Sequence, residues 1–351
     1  MKENKNIFNA FAASGLTDWE HVAREELQGA NPWEKLTSPG EGFTIKPYYD
    51  NTNTSPSSFR IRASANSPLG PRTWYNCPLV KVQDPGKANE TALQHLQQGA
   101  DGIFFELDEQ VDFDLLLDSI QWQICSLNFL AKKNPDAVVA ELKDFMRRKK
   151  IMPDVAHGAF FGCPTAAIVP NQLFRFGGYR PDTVSSPVDE IVSGILSVYH
   201  SLKDEFVHRV GEVAFSLNVG TDFFLEIARL RAFHQVWNMV LEARNAPPLP
   251  LFIHARSESW SAVDYSPHSN MLKGTTAAMA AILGGCDVLT VSAEDADQPM
   301  VSRVARNVSN ILRLESHFSG VADPIAGSYF IEDLTNQLVQ SAWKRLQTEL
   351  I

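Results

Sequence analysis

A closed (β/α)8 barrel of the α/β class, preceded by an irregular N-terminal arm, is the fold this sequence predicts. From Leu79 onward, short continuous apolar runs alternate with segments of helical periodicity, the pattern of a parallel sheet covered on its outer face. Eight such units follow one another, which favours a closed barrel over a doubly wound open sheet. The 351 residues also suit a barrel of about 250 residues with an added arm.

Residues 1–75 form the arm. Leu16 to Leu27 has the spacing of one amphipathic helix, with Thr17 or Asp18 as its cap. Turn-rich stretches follow at Asn31-Pro32, Ser38-Pro39-Gly40 and Asn51 to Ser58. Such a segment has no core of its own, so it is expected to wrap its own barrel or a partner subunit. Its aromatics Trp19, Trp33, Phe43, Tyr48 and Tyr49 would suit a subunit interface, and folding back onto the barrel is the plain alternative.

Residues 76–351 form the barrel. Its expected strands are Leu79–Val82, Ile103–Leu107, Gln123–Leu127, Gly158–Phe161, Leu173–Phe176, Val213–Leu217, Leu251–His254 and Val288–Val291. Helical spacing marks Ala88–Gln98, Asp136–Lys149, Pro187–Leu202, Phe223–Leu241 and Asn270–Leu283, and a last helix begins near Asp333.

The formal charge of −10 argues against a nucleic-acid partner, which would need a basic stripe. Anionic small molecules remain compatible, because local arginines or backbone N–H groups bind phosphate on an acidic protein. No apolar run approaches the ~20 residues of a membrane helix, and Met1 to Ala10 lacks a secretory core, so a cytoplasmic chain is expected. Cys77, Cys125, Cys163 and Cys286 lie far apart without a CxxC pair, which predicts reduced thiols and no zinc.

Walker A, GxGxxG, HExxH and GxSxG patterns are missing, and the nine histidines show no ligand spacing. Gly177-Gly178 and Gly284-Gly285 read as ordinary turns. Barrel sites belong at the C-terminal ends of strands. The residues there are Asp108, Glu109, Asn128, Tyr179, Arg180, Asn218, His254, Arg256, Glu258, Ser292 and Glu294. Together they could form a polar mouth for a carboxylate or phosphate. Alternatively they are polar because loop ends meet water, and His254 is a hydrogen-bonded core residue. On the residues alone, the reading stops at an α/β barrel able to bind an anionic ligand.

Three ordered segments carry a family resemblance. Asp222 to Trp237 (DFFLEIARLRAFHQVW) is similar to the methylmalonyl-CoA mutase helix N-F-F-x-E-V-A-K-L-R-A-A-R-x-L-W. Residues 254–280 resemble the family's T-H-S-Q-T-S-G-W-S segment and the helix after it. Residues 303–332 carry A-R-N, L-x-x-E-S and D-P-x-x-G-S-Y-x-x-E at the family spacing. In the arm, Phe43 to Tyr49 (FTIKPYY) resembles the small-subunit segment I-K-V-K-P-Y-Y.

The resemblance implies a barrel that threads acyl-CoA along its axis beneath adenosylcobalamin, which starts a radical rearrangement between methylmalonyl-CoA and succinyl-CoA. Three departures point to an emptied site. Leu79 stands where the family has a substrate-facing tyrosine, and Arg180 stands where it has the histidine that bonds the thioester. The cobalt-ligating D-x-H-x-x-G motif appears nowhere, the nearest approach being Asp154 and His157 at the wrong spacing. Beyond these three, the family's L-H-T-N segment has become Leu289-Thr290-Val291-Ser292.

The resemblance therefore implies the small, non-catalytic subunit of a heterodimeric mutase, binding no cofactor itself and pairing with a large chain that carries adenosylcobalamin. Two alternatives stay open. One is an active barrel served by a separate cobalamin-binding polypeptide, with Tyr179 and His254 as its catalytic groups. The other is a CoA-ester binding or regulatory module using Tyr179, Arg180, His254, Arg256 and Ser292. Small subunits of the family continue into a degenerate cobalamin-like domain, so the sequence is expected to be a shortened chain.

Overall fold

The computed structural model describes residues 14–52, 59–63, 71–108, 110–152, 156–162, 174–180, 186–258, 269–293 and 298–350. The arm is less irregular than its composition suggests. It holds α1 (Leu16–Glu26), α2 (Pro32–Leu36) and a small antiparallel ribbon of β1 (Ser38–Gly40) and β2 (Phe43–Ile45). The cap of α1 is Gly15 rather than Thr17 or Asp18, and Asp18 reaches back to accept from the Gly15 N–H at 2.9 Å.

The barrel strands are β3 (Tyr75–Asn76), β4 (Leu79–Val82), β5 (Gly102–Leu107), β6 (Ser126–Ala131), β7 (His157–Phe161), β8 (Phe174–Tyr179), β9 (Val213–Val219), β10 (Phe252–Ser257) and β11 (Val288–Thr290). All neighbouring pairs are parallel, in the order β3-β11-β10-β9-β8-β7-β6-β5-β4. The two ends of this order are one stretch of chain. Tyr75 and Asn76 pair with β11, while Leu79 to Val82 pair with β5. Cys77 donates to the Leu289 carbonyl, and the Pro78 carbonyl accepts from Phe104. Proline cannot donate to a ladder, so the strand hands over from one neighbour to the other at Pro78. The sheet thereby closes into an eight-stranded barrel.

Around it lie α3 (Pro85–Gln97), α4 (Phe113–Leu116), α5 (Pro135–Arg148), α6 (Pro187–Leu202), α7 (Phe206–Arg209), α8 (Phe223–Ala243), α9 (Ser269–Gly284), α10 (Pro299–Leu314) and α11 (Tyr329–Leu350). Start signals are local: Asp84 and Ser186 accept from the N–H three residues on, and proline opens α3, α5, α6 and α10. The final helix starts at Tyr329, four residues before the expected Asp333. Strand β6 runs to Ala131, beyond the expected Gln123–Leu127, which moves Asn128 from a strand end to mid-strand.

Between strands and helices, large side chains such as Trp237, Phe215, Phe129 and Phe174 are fully buried, each contributing roughly 1.5–3 kcal/mol. Helix α11 packs across α6 and α8. The arm lies on this outer layer. Gln337 exchanges hydrogen bonds with both backbone groups of Thr44, Tyr49 packs on Phe330, and Phe59 stacks on His234 with centroids 4.9 Å apart. Trp19 instead packs against Trp33 and Tyr48 within the arm.

Candidate functional site

The C-terminal strand ends carry several charges. Lys132 Nζ lies 2.7 Å from Glu106 and 3.3 Å from Asp108. Arg256 approaches the other oxygen of Glu106 at 3.7 Å, and its Nε donates to Ser292 Oγ at 3.4 Å. Ser292 in turn donates to the Ser257 carbonyl at 2.6 Å, which joins the ends of β10 and β11. Arg180 follows the end of β8, and burial depresses the proton affinities of Arg256 and His254, with the Arg180 charge acting in the same direction. The structure thus brings Arg256 and Ser292 together. Asn218 is exposed, Asp108 is half-exposed, and Glu109 and Glu294 lie outside the described residues.

Tyr179 faces the other way. Between β7 and β8 the register slips: Ala159 pairs with Arg175, but Phe161 pairs with Gly178. Two residues on β7 therefore match three on β8, a bulge that exchanges inward and outward faces beyond it. Gly178 takes the axial position, and the Tyr179 ring packs outward against Phe215 and beside Gly194 of α6. A Cβ at Gly178 would meet the Phe160 carbonyl oxygen at 2.3 Å and Phe161 Cδ1 at 2.6 Å. Gly177-Gly178 is accordingly a strand feature and not a turn. Gly285, by contrast, ends α9 with a φ of 104° and is a helix stop.

His254 points to the axis and is fully buried. Its Nδ1 lies 2.8 Å from Ser216 Oγ and its Nε2 lies 2.9 Å from Thr290 Oγ1. Thr290 spends its own proton on the Cys77 carbonyl at 2.6 Å, so it accepts from an Nε2–H, and Ser216 donates to Nδ1. Burial, with Arg256 and Arg180 nearby, holds the imidazole well below its ordinary pKa, as the neutral tautomer. Both ring nitrogens are therefore committed to the barrel wall.

The axis itself is filled. Phe104 stacks on His254 with centroids 4.3 Å apart, and Phe161 lies 5.6 Å from the imidazole. These rings pack with Cys77, Leu130, Ala159, Ala214, Phe252 and Val288, and Leu79 leans on the same cluster from above. Asn128 is buried beside them, bonded to Ser126 and to the Ala159 N–H. Towards the N-terminal end, Arg175 covers the Phe252 ring at 4.4 Å and His157 lies beside Tyr75.

Sequence reasoning passed over Lys81 and Arg306, which line a cavity of about 110 Å³ between β4, the end of β11 and α10. The A-R-N motif holds Arg306, but nothing in the sequence marks it as facing a cavity. Among the described residues, no cluster of three histidine, cysteine or carboxylate side chains could hold a metal ion. Cys77, Cys125 and Cys286 are buried free thiols, and no described helix is long and apolar enough to cross a membrane.

Residues 201–349 match the family model described as methylmalonyl-CoA mutase. The small subunit of methylmalonyl-CoA mutase from Porphyromonas gingivalis is 26% identical over 400 residues, covering 98% of this chain and 64% of that protein. The mitochondrial methylmalonyl-CoA mutase of Bos taurus is 24% identical, covering 93% of this chain and 54% of that one. The chain thus spans between about half and two thirds of the length of these curated relatives. Among solved structures, Yersinia pestis DHPS with a pterine-sulfa conjugate aligns at a TM-score of 0.39 and 12% identity, over 70% of this chain and 94% of that one.

Proposed function

Because this chain belongs to the methylmalonyl-CoA mutase family, we propose that it is a small-subunit-type, non-catalytic component of an adenosylcobalamin-dependent acyl-CoA mutase, paired with a large catalytic chain. The filled axis carries this reading. An acyl-CoA threaded through the barrel would have to displace Phe104, Phe161 and His254, which are fully buried and packed on one another. Close-packed interiors do not yield such space without losing several kcal/mol per large side chain.

Neither residue on which the active-barrel alternative relies is suitably placed. Tyr179 packs under α6, and the His254 nitrogens are occupied by Ser216 and Thr290. Adenosylcobalamin does not fit the described mouth, since Arg180 and Arg256 have no lone pair for cobalt and the imidazole is sealed below them. A barrel that keeps its walls without an open site is maintained by what its outside contacts.

The test is reconstitution. The purified chain, given methylmalonyl-CoA and adenosylcobalamin, forms no succinyl-CoA. Adding a large mutase subunit to which it binds restores turnover. Turnover by this chain without a partner would refute the reading.

A further inference from the structure

We infer that the cavity between β4, the end of β11 and α10 is a binding site for a small oxyanion, a phosphoryl or carboxylate group. Arg306 is the centre of the case. It is 5% exposed, and among the described residues its Nε has no hydrogen-bond partner. Its NH1 meets only the Nδ1 of buried His95, at 3.0 Å. Among the described residues no carboxylate lies within ion-pair distance of Arg306, whereas buried Arg229, Arg231 and Arg313 each have one.

A buried guanidinium without a counter-charge is costly, and an anion on its free edge removes the cost. The rest of the cavity suits that partner. Arg256 reaches it from β10 with its nearest carboxylate, Glu106, 3.7 Å away and already bonded to Lys132 at 2.7 Å. Lys81 supplies an exposed ammonium at the rim, and Ser302 supplies a hydroxyl group. Three cations and one hydroxyl around about 110 Å³ can surround one tetrahedral or planar anion but not a nucleotide. The inference does not depend on the chain's role beside a partner subunit.

Calorimetric titration and thermal shift with sodium phosphate or sodium acetate, at ionic strength held constant with sodium chloride, test it on the full chain. One of the two anions binds saturably and raises Tm. A phosphate response identifies a phosphoryl site, and an acetate response identifies a carboxylate site. Arg306→Met weakens that binding by about 10-fold or more, the value of one lost charge-assisted bond. If Arg306→Met fails to fold, Lys81→Ala at the exposed rim and Ser302→Ala carry the comparison, each weakening binding measurably. No saturable response to either anion, as expected if the Arg306 charge is already balanced within the chain, overturns the inference. So does binding of equal strength in the wild type and in the variants.

Discussion

Arg231 holds Asp323 through two hydrogen bonds, of 2.9 and 3.0 Å, across 92 residues of sequence. Around this pair the shared motifs meet. Glu332 lies 3.9 Å from Arg231, accepts from the Gly327 N–H at 2.9 Å and pairs with Arg60 of the arm at 3.0 Å. Asp323 also accepts from the Ile61 N–H, and the Arg231 guanidinium lies over the Phe59 ring. The helix motif around Arg231 and the D-P-x-x-G-S-Y-x-x-E motif thus tie α8, the loop before α11 and the arm together. They act outside the barrel, in folding rather than in chemistry.

That tie predicts an asymmetry between its partners. Asp323→Ala leaves Arg231, which is fully buried, with the more distant Glu332 as its remaining carboxylate and a long bond to the Phe59 carbonyl. Losing one side of a buried pair costs about 3–5 kcal/mol. Arg231→Met costs less, because Asp323 retains the Ile61 N–H and Glu332 retains Arg60. Urea denaturation of both variants measures the difference. Equal losses would show that the arginine is not stranded when the carboxylate goes.

Tyr179 and His254 are expected to separate stability from turnover. Tyr179→Phe keeps the ring against Phe215 and leaves the activity of the reconstituted mutase unchanged. His254→Ala strands Ser216 and Thr290 in the core and opens a void beneath Phe104, costing about 2–4 kcal/mol. Turnover per folded complex nevertheless stays at the wild-type level. A selective fall in kcat for either variant, with Tm accounted for, would restore the active-barrel alternative.

Gly178→Ala tests the bulge. The added methyl meets the Phe160 carbonyl and the Phe161 ring below 3 Å, and the carbonyl belongs to a paired strand that cannot turn aside. A loss of at least about 1–3 kcal/mol is expected, the usual range for overpacking. Thermal unfolding checks it, and an unchanged Tm would mean that β7 and β8 accommodate the methyl with little cost.

The barrel was legible because its strands are buried on both faces and read as continuous apolar runs, as in Ile103–Leu107 and Val213–Leu217. Tyr75-Asn76 was not, since two residues ahead of a proline carry no periodicity, and only pairing with β11 makes them a strand. The mouth was legible in part. Arg256 and Ser292 meet because the ends of neighbouring β10 and β11 lie side by side. Tyr179 does not, because one inserted residue reverses its face, and alternation along a six-residue strand cannot reveal an insertion in the pairing. Arg306 stayed hidden for another reason. An arginine in an amphipathic helix is ordinarily solvated, and its burial here follows from how α10 lies against α3 and β3.

Acid should weaken the fold through histidines buried without charge. His234 of α8 sits beneath the arm with Nε2 3.1 Å from the Gly285 carbonyl. Burial lowers its pKa to about 4, and Arg72 and Arg231 act in the same direction. An unfolded histidine titrates near 6.5, so the unfolded chain takes up this proton first as pH falls. The contribution of His234 is therefore fully present above about pH 6.5 and is lost progressively towards about 4, a total of about 3 kcal/mol. His95 beside Arg306, also lowered to about 4, adds a loss in the same window. His234→Gln keeps a donor for Gly285 but cannot take up the proton. Its unfolding free energy, measured between pH 7 and pH 4.5, should fall less steeply than that of the wild type. Parallel curves would mean that His234 is protonated in the folded chain, and that its contact with the arm tolerates the charge.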